Sequence, residues 1–499
     1  MHFFKFFRLI YIIIIFLFCQ NTVYAYSQSE QVEWANKTKK DLSTIHNLIK
    51  DNGPLLELSR TTNYVMWLNE GYKQALEKSK HVSTYGGYLF TLKYYIAGFR
   101  DYHTNIMFKN LPSSSTSKWP GFIVAMRDGS VVVVYKSSKK QWKVLPPIGA
   151  KLVSCNGKKV ADLLEKNIYP YWPGAEKYPS TWDIYVPYLF FDQGNPWALK
   201  LNQCKFIFNN QSKVYKLNWL KNNSKNLKTK LRNASFGARV HFAIKEFGKN
   251  SVWISIPTFS WAVQENNQIK ILKKQGETSG DFLTAIAKAM PKFRNKNIIV
   301  FDLRGNPGGA PIYARNILFG LYTKEYLSSL GTKFVWNRVL KMQFRVTKRN
   351  LDYLKAFPYL NNIAEAMEKA MDSRQSYMTY SDVILNSHKK INNPVKGKVI
   401  YITDGHCGSM CTMFSQALKE IPGTIQLGAP TAKFDASGYN NDIVLPSKLA
   451  TLEMPIEAVV SPKDYMYKPI IPDVNYSGYL GNTKNLKDFI LKKYERGEQ

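Results

Sequence analysis

Apolar positions follow three rhythms along this chain of 499 residues. In the first stretch, Trp34, Leu42, Ile45, Leu48 and Ile49 recur at helical spacing, and Asn52-Gly53-Pro54 closes the run. A second periodic stretch covers Tyr88 to Phe99, so residues 30–108 read as mainly helical. The rhythm then shortens. Ser130 to Tyr135 is a β-branched run, and Pro147 to Gly157 reads as strand punctuated by turns, with Asn156-Gly157 as a hairpin signal. Val160 to Asn167 predicts a short helix and Cys204 to Trp219 further strands, which together make residues 118–222 a small β-rich module.

From about residue 236 strands and helices alternate. Ser251–Ile256, Asn297–Leu303 and Lys398–Thr403 read as strands, and Gly280–Met290 as a helix; further helices start near Ile312 and Ser409. Alternation of this kind argues for an α/β layer. The lysine-rich segment 340–395 reads as mostly helical and as an excursion from that layer. No internal repeat is found.

The N-terminus carries a different pattern. Lys5 and Arg8 precede an apolar run from Leu9 to Phe18, and Val23-Tyr24-Ala25 supplies small residues at cleavage positions. This predicts a signal peptide over 1–25, with the mature chain starting near Tyr26; the alternative is an uncleaved anchor. Cys19 follows Phe18 and so lacks the small residue a lipoprotein cysteine needs. The other four cysteines permit two disulfides, for which Cys155–Cys204 and Cys407–Cys411 are the favoured pairs, against four reduced buried thiols. Export places the chain in the periplasm or outside the cell. In a eukaryotic source, Asn36, Asn210, Asn222, Asn233 and Asn475 would be glycosylation candidates.

The net charge of +33 falls to +31 without Lys5 and Arg8. It would draw the chain to anionic surfaces, including a membrane surface. The lysines are spread along the whole chain, however, and no nucleic-acid signature is present, so no nucleic-acid partner is expected. No His-Glu-x-x-His or clustered ligand pattern occurs, so neither metal nor cofactor is expected.

Two loops could carry chemistry. Asp302-Leu303-Arg304-Gly305-Asn306-Pro307-Gly308-Gly309 joins a buried strand to a helix. Its adjacent glycines let backbone amides approach an oxyanion or carboxylate, although the spacing fits neither a Walker loop nor a dinucleotide fingerprint. A plain strand-to-helix turn is the other reading. Asp404-Gly405-His406-Cys407-Gly408-Ser409 also follows a strand, and Met410, Met413, Phe414, Ala417, Leu418 and Ile421 share one face of the next helix. Ser409 is then either an N-cap or a nucleophile in the positive field of the helix. Two such loops at the carboxyl ends of neighbouring strands favour a site there.

These residues resemble the tail-specific, or C-terminal-processing, serine peptidases and their tricorn-core and retinoid-binding-protein relatives. Asp302–Gly309 is similar to an Asp-Leu-Arg-x-Asn-x-Gly-Gly signature, and Gly408 through Leu418 to the segment holding the family's serine. Leu427–Thr431 resembles a Gly-Glu-x-Thr strand end, and Arg100–Thr104 an Asp-x-His-Ser/Thr element. Leu445–Ser447 and Pro472-Asp473 resemble the closing motifs, and Pro147–Leu164 part of a PDZ-like module. The order of these motifs covers most of residues 85–480.

The resemblance implies an α/β (α+β) multidomain fold. Its parts would be a helical region over 26–116, a PDZ-like module over 117–230, and a catalytic domain of the ClpP/crotonase-like type over 231–499. It also implies acyl transfer, with Ser409 attacking a peptide carbonyl and the amides of Met410 and Gly308 or Gly309 holding the oxyanion. Two residues compete as general base. His103 matches the tricorn-like histidine, and a histidine titrates near neutrality. Lys433 is the alternative, by resemblance to the Ser–Lys branch of the family, but it stands one residue early, lacks flanking glycines and is followed four residues on by Ser437. Met466 stands where the tricorn-like branch has a glutamate. Asp101 could orient His103, although two residues so spaced on a helix point apart. His406 is read as structural. The expectation is an exported tail-specific-like serine endopeptidase acting on polypeptides. The rival readings are a non-catalytic ligand- or peptide-binding protein on the same scaffold and a hydrolase for an anionic polymer.

Overall fold

The computed structural model describes residues 31–496 apart from 57–61, 110–116, 143, 173–178, 222–225, 237–239, 261–278, 338–340, 382–388, 434, 436, 461–467 and 477. The expected signal peptide, Cys19 and Met466 lie outside the described residues.

The helical rhythm yields three helices, residues 31–52, Thr62–Ser79 and Tyr85–Ala97. Thr84 caps the third by accepting from the Gly87 amide at 3.2 Å. Leu42, Ile45, Ile49, Tyr88, Leu92 and Tyr95 are buried on these helices and pack with Ile106, Leu452 and Met454. The helices therefore sit on an antiparallel sheet rather than forming a separate bundle. That sheet orders Asn105–Phe108, Ala450–Val459, Lys341–Arg345 and Tyr377–Ser381, and Ser437–Val444 also pairs with Ala450–Val459.

The expectation for 340–395 is corrected here. The segment holds two helices, Lys348–Lys355 and Asn361–Asp372, but two strands flank them and pair with each other. Lys341–Arg345 alternates exposure along its length and buries Met342 and Phe344 against the helices. Two inward apolar side chains per strand are too few to reveal it in a lysine-rich stretch.

The β-rich module is an antiparallel sheet ordered Phe122–Arg127, Ser130–Lys136, Lys151–Cys155, Gln203–Phe208 and Gln211–Lys216. Asn156 and Gly157 take φ of 48° and 75°, the left-handed pair that an Asn-Gly turn provides. Cys155 and Cys204 are opposite partners on adjacent strands and form a disulfide.

The third sheet positions the site. Its order is Ala243–Phe247, Ser251–Ser255, Ile298–Asp302, Lys398–Thr403, Thr424–Gly428 and Val474–Asn475; the first pair is antiparallel and the rest parallel. Ile298, Ile299, Val300 and Phe301 are buried, as a central parallel strand covered on both faces requires. Helices Ser279–Ala289, Pro311–Tyr322 and Met410–Lys419 share the core on one side of the sheet, and Leu486 and Ile490 of the Thr483–Ile490 helix pack on the other. Both glycine-rich loops leave the carboxyl edge of this sheet side by side. No described helix is long and apolar enough to cross a membrane.

Candidate active site

Ser409 occupies the N-cap position of the Met410–Lys419 helix, yet its side chain makes no capping bond. Its backbone sits at φ 49°, ψ −123°, a conformation costly for a residue with a Cβ. That strain turns the hydroxyl out of the helix end. Its partner is His103, whose Nε2 lies 3.2 Å from Ser409 Oγ. Ser409 Oγ thus does not cap the helix and faces His103 instead.

The turn is braced from several directions. A Cys407–Cys411 disulfide spans it, and both cysteines are fully buried. The Cys407 carbonyl accepts from Thr412 Oγ1 at 2.9 Å and from the Ala432 amide at 3.0 Å. The Gly408 amide donates to the Asn306 carbonyl at 3.2 Å, which ties the two loops together. The Asp404 carboxylate accepts from the Gly305 amide at 3.0 Å and the His406 amide at 3.0 Å. His406 is buried, which pushes its pKa down, and its ring meets the Ser235 backbone.

In the first loop, Asn306 organises the glycines. Its Nδ2 donates to the Ile256 carbonyl at 2.9 Å, and its Oδ1 accepts from the Gly308 amide at 2.8 Å. The Gly308 amide is therefore committed in this conformation. Gly309, at φ 138°, turns the next amide: the flanking Gly308 carbonyl and Ala310 amide pair with Phe259, and among the described residues the Gly309 amide has no acceptor. A Cβ on Gly308 would lie 2.8 Å from Ser409 Cβ and 2.8 Å from the Met410 nitrogen, so only glycine lets this loop lie against the Ser409 turn. Met410 opens the helix, where first-turn amides have no intrahelical acceptor. Of the amides expected to hold an oxyanion, Gly309 and Met410 are the two with no acceptor among the described residues. Behind the loop, Arg304 forms a buried bidentate pair with Asp302, at 2.7 and 2.6 Å, and anchors it to Thr483.

The acid side of the site differs from the sequence reading. Asp101 and His103 do not lie on a helix. The chain leaves the Tyr85–Ala97 helix through Arg100 at φ 55° and turns before the Asn105–Phe108 strand, which lets both side chains reach Ser437. Ser437 Oγ donates to Asp101 Oδ1 at 2.6 Å and lies 3.2 Å from His103 Nδ1. Asp101 Oδ2 accepts from the Thr104 amide at 2.9 Å and its hydroxyl at 2.6 Å. Because the Ser437 proton points to the carboxylate, its oxygen can only accept from His103. This fixes a proton on Nδ1 and leaves Nε2 free to accept from Ser409.

Lys433 is placed elsewhere. Its ammonium pairs with Asp435 Oδ1 at 3.1 Å and donates to the Arg100 carbonyl. Among the described residues, Ser409 Oγ is bonded to His103 and not to Lys433. Burial raises the Asp435 pKa to about 6, with Asp101 adding to the rise and Lys433 opposing it. Ligand atoms of Asp101, His103 and Asp435 come within 4.8 Å of one another. They are already engaged by Ser437, Thr104, Lys433 and the Tyr102 amide, at 2.6 Å for the last. The cluster is thus a closed hydrogen-bond network.

Residues 252–476 match the model of peptidase family S41. Over that segment the chain is similar to peptidase family S41. That similarity supports a serine-type peptidase. The matched segment contains both glycine-rich loops, Ser409, Lys433 and Ser437, whereas Asp101 and His103 precede it. Mature CPAF has the same overall fold, with a TM-score of 0.57 at 14% identity over 93% of this chain and 99% of that one. A serine-to-alanine mutant of CPAF gives 0.60 at 14% identity, covering 93% and 97%. Mature CPAF complexed with lactacystin gives 0.56 at 14% identity, covering 93% and 99%. Identities this low establish the fold alone. No curated protein matches the chain.

The structure brings Ser409 and His103 together beside Gly308 and Met410, and among the described residues no hydrogen bond joins Lys433 to the serine. Ser437 escaped the sequence reading as a functional residue. The available signal was its place four residues after Lys433, where a Ser–Lys relative has a polar glutamine.

Proposed function

We propose that this protein is an S41-type peptidase that hydrolyses peptide bonds through a Ser409 acyl-enzyme, with His103 as general base. The observation that carries the reading is the 3.2 Å approach of His103 Nε2 to Ser409 Oγ, between residues 306 positions apart. His103 Nε2 takes the hydroxyl proton as Oγ attacks the carbonyl carbon. The carbonyl oxygen, now anionic, accepts from the Gly309 and Met410 amides at the positive end of the helix. The tetrahedral species collapses as His103 returns the proton to the leaving amine. Water then repeats the sequence on the ester and frees Ser409. Asp101, acting through the Ser437 hydroxyl, holds the imidazole in the required tautomer and stabilises the imidazolium.

Two further readings rest on the same chain. It is exported, to the periplasm or beyond, a placement supported by the pattern of residues 1–25 and by two disulfides. The β-rich module acts as a PDZ-like binder of polypeptide C-termini by strand addition, a role supported by its exposed edge strand, Gln211–Lys216.

An active-site-directed fluorophosphonate tests the chemistry. Wild type should label and Ser409→Ala should not, while His103→Ala should label about 10²–10⁴ times more slowly. Folded wild-type protein that never labels would leave only a non-catalytic scaffold.

A further inference from the structure

We propose that the buried Lys433–Asp435 ion pair is a positioning device that holds the His103 turn onto the nucleophile. The proposal rests on the reading of His103 as base. Three alternate residues of one short segment, 433, 435 and 437, contact the turn at 100–103. Lys433 Nζ donates to the Arg100 carbonyl, and Asp435 Oδ2 accepts from the Tyr102 amide at 2.6 Å. Ser437 completes the row on Asp101 and His103. An extended chain points every second side chain the same way, and the same alternation here lets one short segment grip the turn at three points.

The strain lies where the grip is. Arg100 takes φ 55°, unusual for a residue with a side chain, and its carbonyl is the one that Lys433 holds. Lys433 and Asp435 are 6% and 4% exposed. A buried pair needs hydrogen bonds beyond its own attraction to offset desolvation. Here those bonds go to backbone atoms two residues apart, on either side of Asp101. A lysine held as a charged partner has no free lone pair, so it positions while the imidazole transfers the proton. A misplacement of about 1 Å at a reacting group costs on the order of 10²-fold in rate.

The test is a mutant cycle on the full chain, read by fluorophosphonate labelling, peptide turnover and thermal unfolding. Lys433→Met, Asp435→Asn and the double variant are compared in wild-type and His103→Ala backgrounds. The double variant removes both buried charges and so folds even where Lys433→Met alone does not. Folded variants should lose about 10² in kcat with KM changed less than about twofold. In the His103→Ala background the same substitutions should change the residual rate by less than about threefold. Wild-type rates in the folded variants overturn the proposal, as does a loss that persists in full without His103. If His103→Ala labels normally and Lys433→Met does not, the base reading itself falls and Lys433 is the base.

Discussion

The Ser437 hydroxyl donates to Asp101 Oδ1 at 2.6 Å across 336 positions of sequence, and its oxygen faces His103 Nδ1 at 3.2 Å. A carboxylate thus reaches the imidazole through a serine, since its own approach to Nδ1 is 4.0 Å. Removing the bridge should leave substrate binding intact and impair proton transfer. Ser437→Ala should therefore lower kcat by about 10²-fold with KM little changed, and Ser437→Thr should retain most of the rate. Steady-state kinetics on a peptide substrate check both; a wild-type kcat in folded Ser437→Ala would remove Ser437 from the mechanism.

Asn306 gives a prediction on stability as well as rate. It is fully buried, and both ends of its amide are used, on the Ile256 carbonyl and the Gly308 amide. Asn306→Ala leaves two buried backbone groups without partners, at about 1–3 kcal/mol each. The variant should unfold at lower denaturant with an unchanged m-value. Its labelling should also slow, because the adjacent Gly309 amide loses its support. Equal denaturant midpoints for variant and wild type would contradict the assignment.

Much of this site was legible because its scaffold obeys local rules. Ile298–Phe301 and Val399–Ile402 are continuous apolar runs, as buried parallel strands must be, and glycine-rich loops follow both strands. Ser409 stood out at the head of an amphipathic helix. What the sequence could not reveal depends on long-range contact or on single backbone angles. Ser409 has cap chemistry and cap position, and only its φ of 49° turns the hydroxyl to His103. The turn at Arg100 decides whether Asp101 and His103 diverge or converge, and arginine gives no warning of a positive φ. The pairing of Lys433 with Asp435 and the Arg100 carbonyl is likewise invisible in the sequence, because a lysine near a serine motif carries the same letter whether its ammonium is free or paired.

Asp435 makes stability and activity respond to pH in opposite directions. Burial raises its pKa from 3.8 to about 6, while Lys433, His103 and the Tyr102 amide favour the charged form and Asp101 opposes it. With the folded pKa above the unfolded one, the folded state holds the proton more tightly between those values. This group's contribution to stability is then greatest at low pH and is lost as pH rises through about 6. The positioning role needs the ionised form, so activity should fall as pH drops through the same window. Asp435→Asn should flatten the stability profile between pH 3.8 and about 6, measured by denaturant titration at several pH values. Parallel profiles for variant and wild type would place the titrating group elsewhere.

The two disulfides should separate stability from catalysis. Cys155–Cys204 closes a loop of separation 49, and Cys407–Cys411 one of separation 4. On chain entropy alone, removing the first should cost about 4 kcal/mol and the second about 2 kcal/mol. Their effects on rate should run the other way. The first joins two strands of the β-rich module, far along the chain from the nucleophile. The second encloses Ser409 and helps to hold it at a backbone angle that the residue would not otherwise keep. A Cys155→Ala/Cys204→Ala variant should unfold at a lower temperature and keep its kcat in the temperature range where it remains folded. A Cys407→Ala/Cys411→Ala variant should retain more of its stability and lose about tenfold or more in labelling rate, since relaxing a positive-φ residue releases on the order of 1–3 kcal/mol. Thermal unfolding and fluorophosphonate kinetics on the same preparations decide the matter. If the short-loop variant labels at the wild-type rate, the Asn306 and Asp404 hydrogen bonds suffice to hold the nucleophile turn.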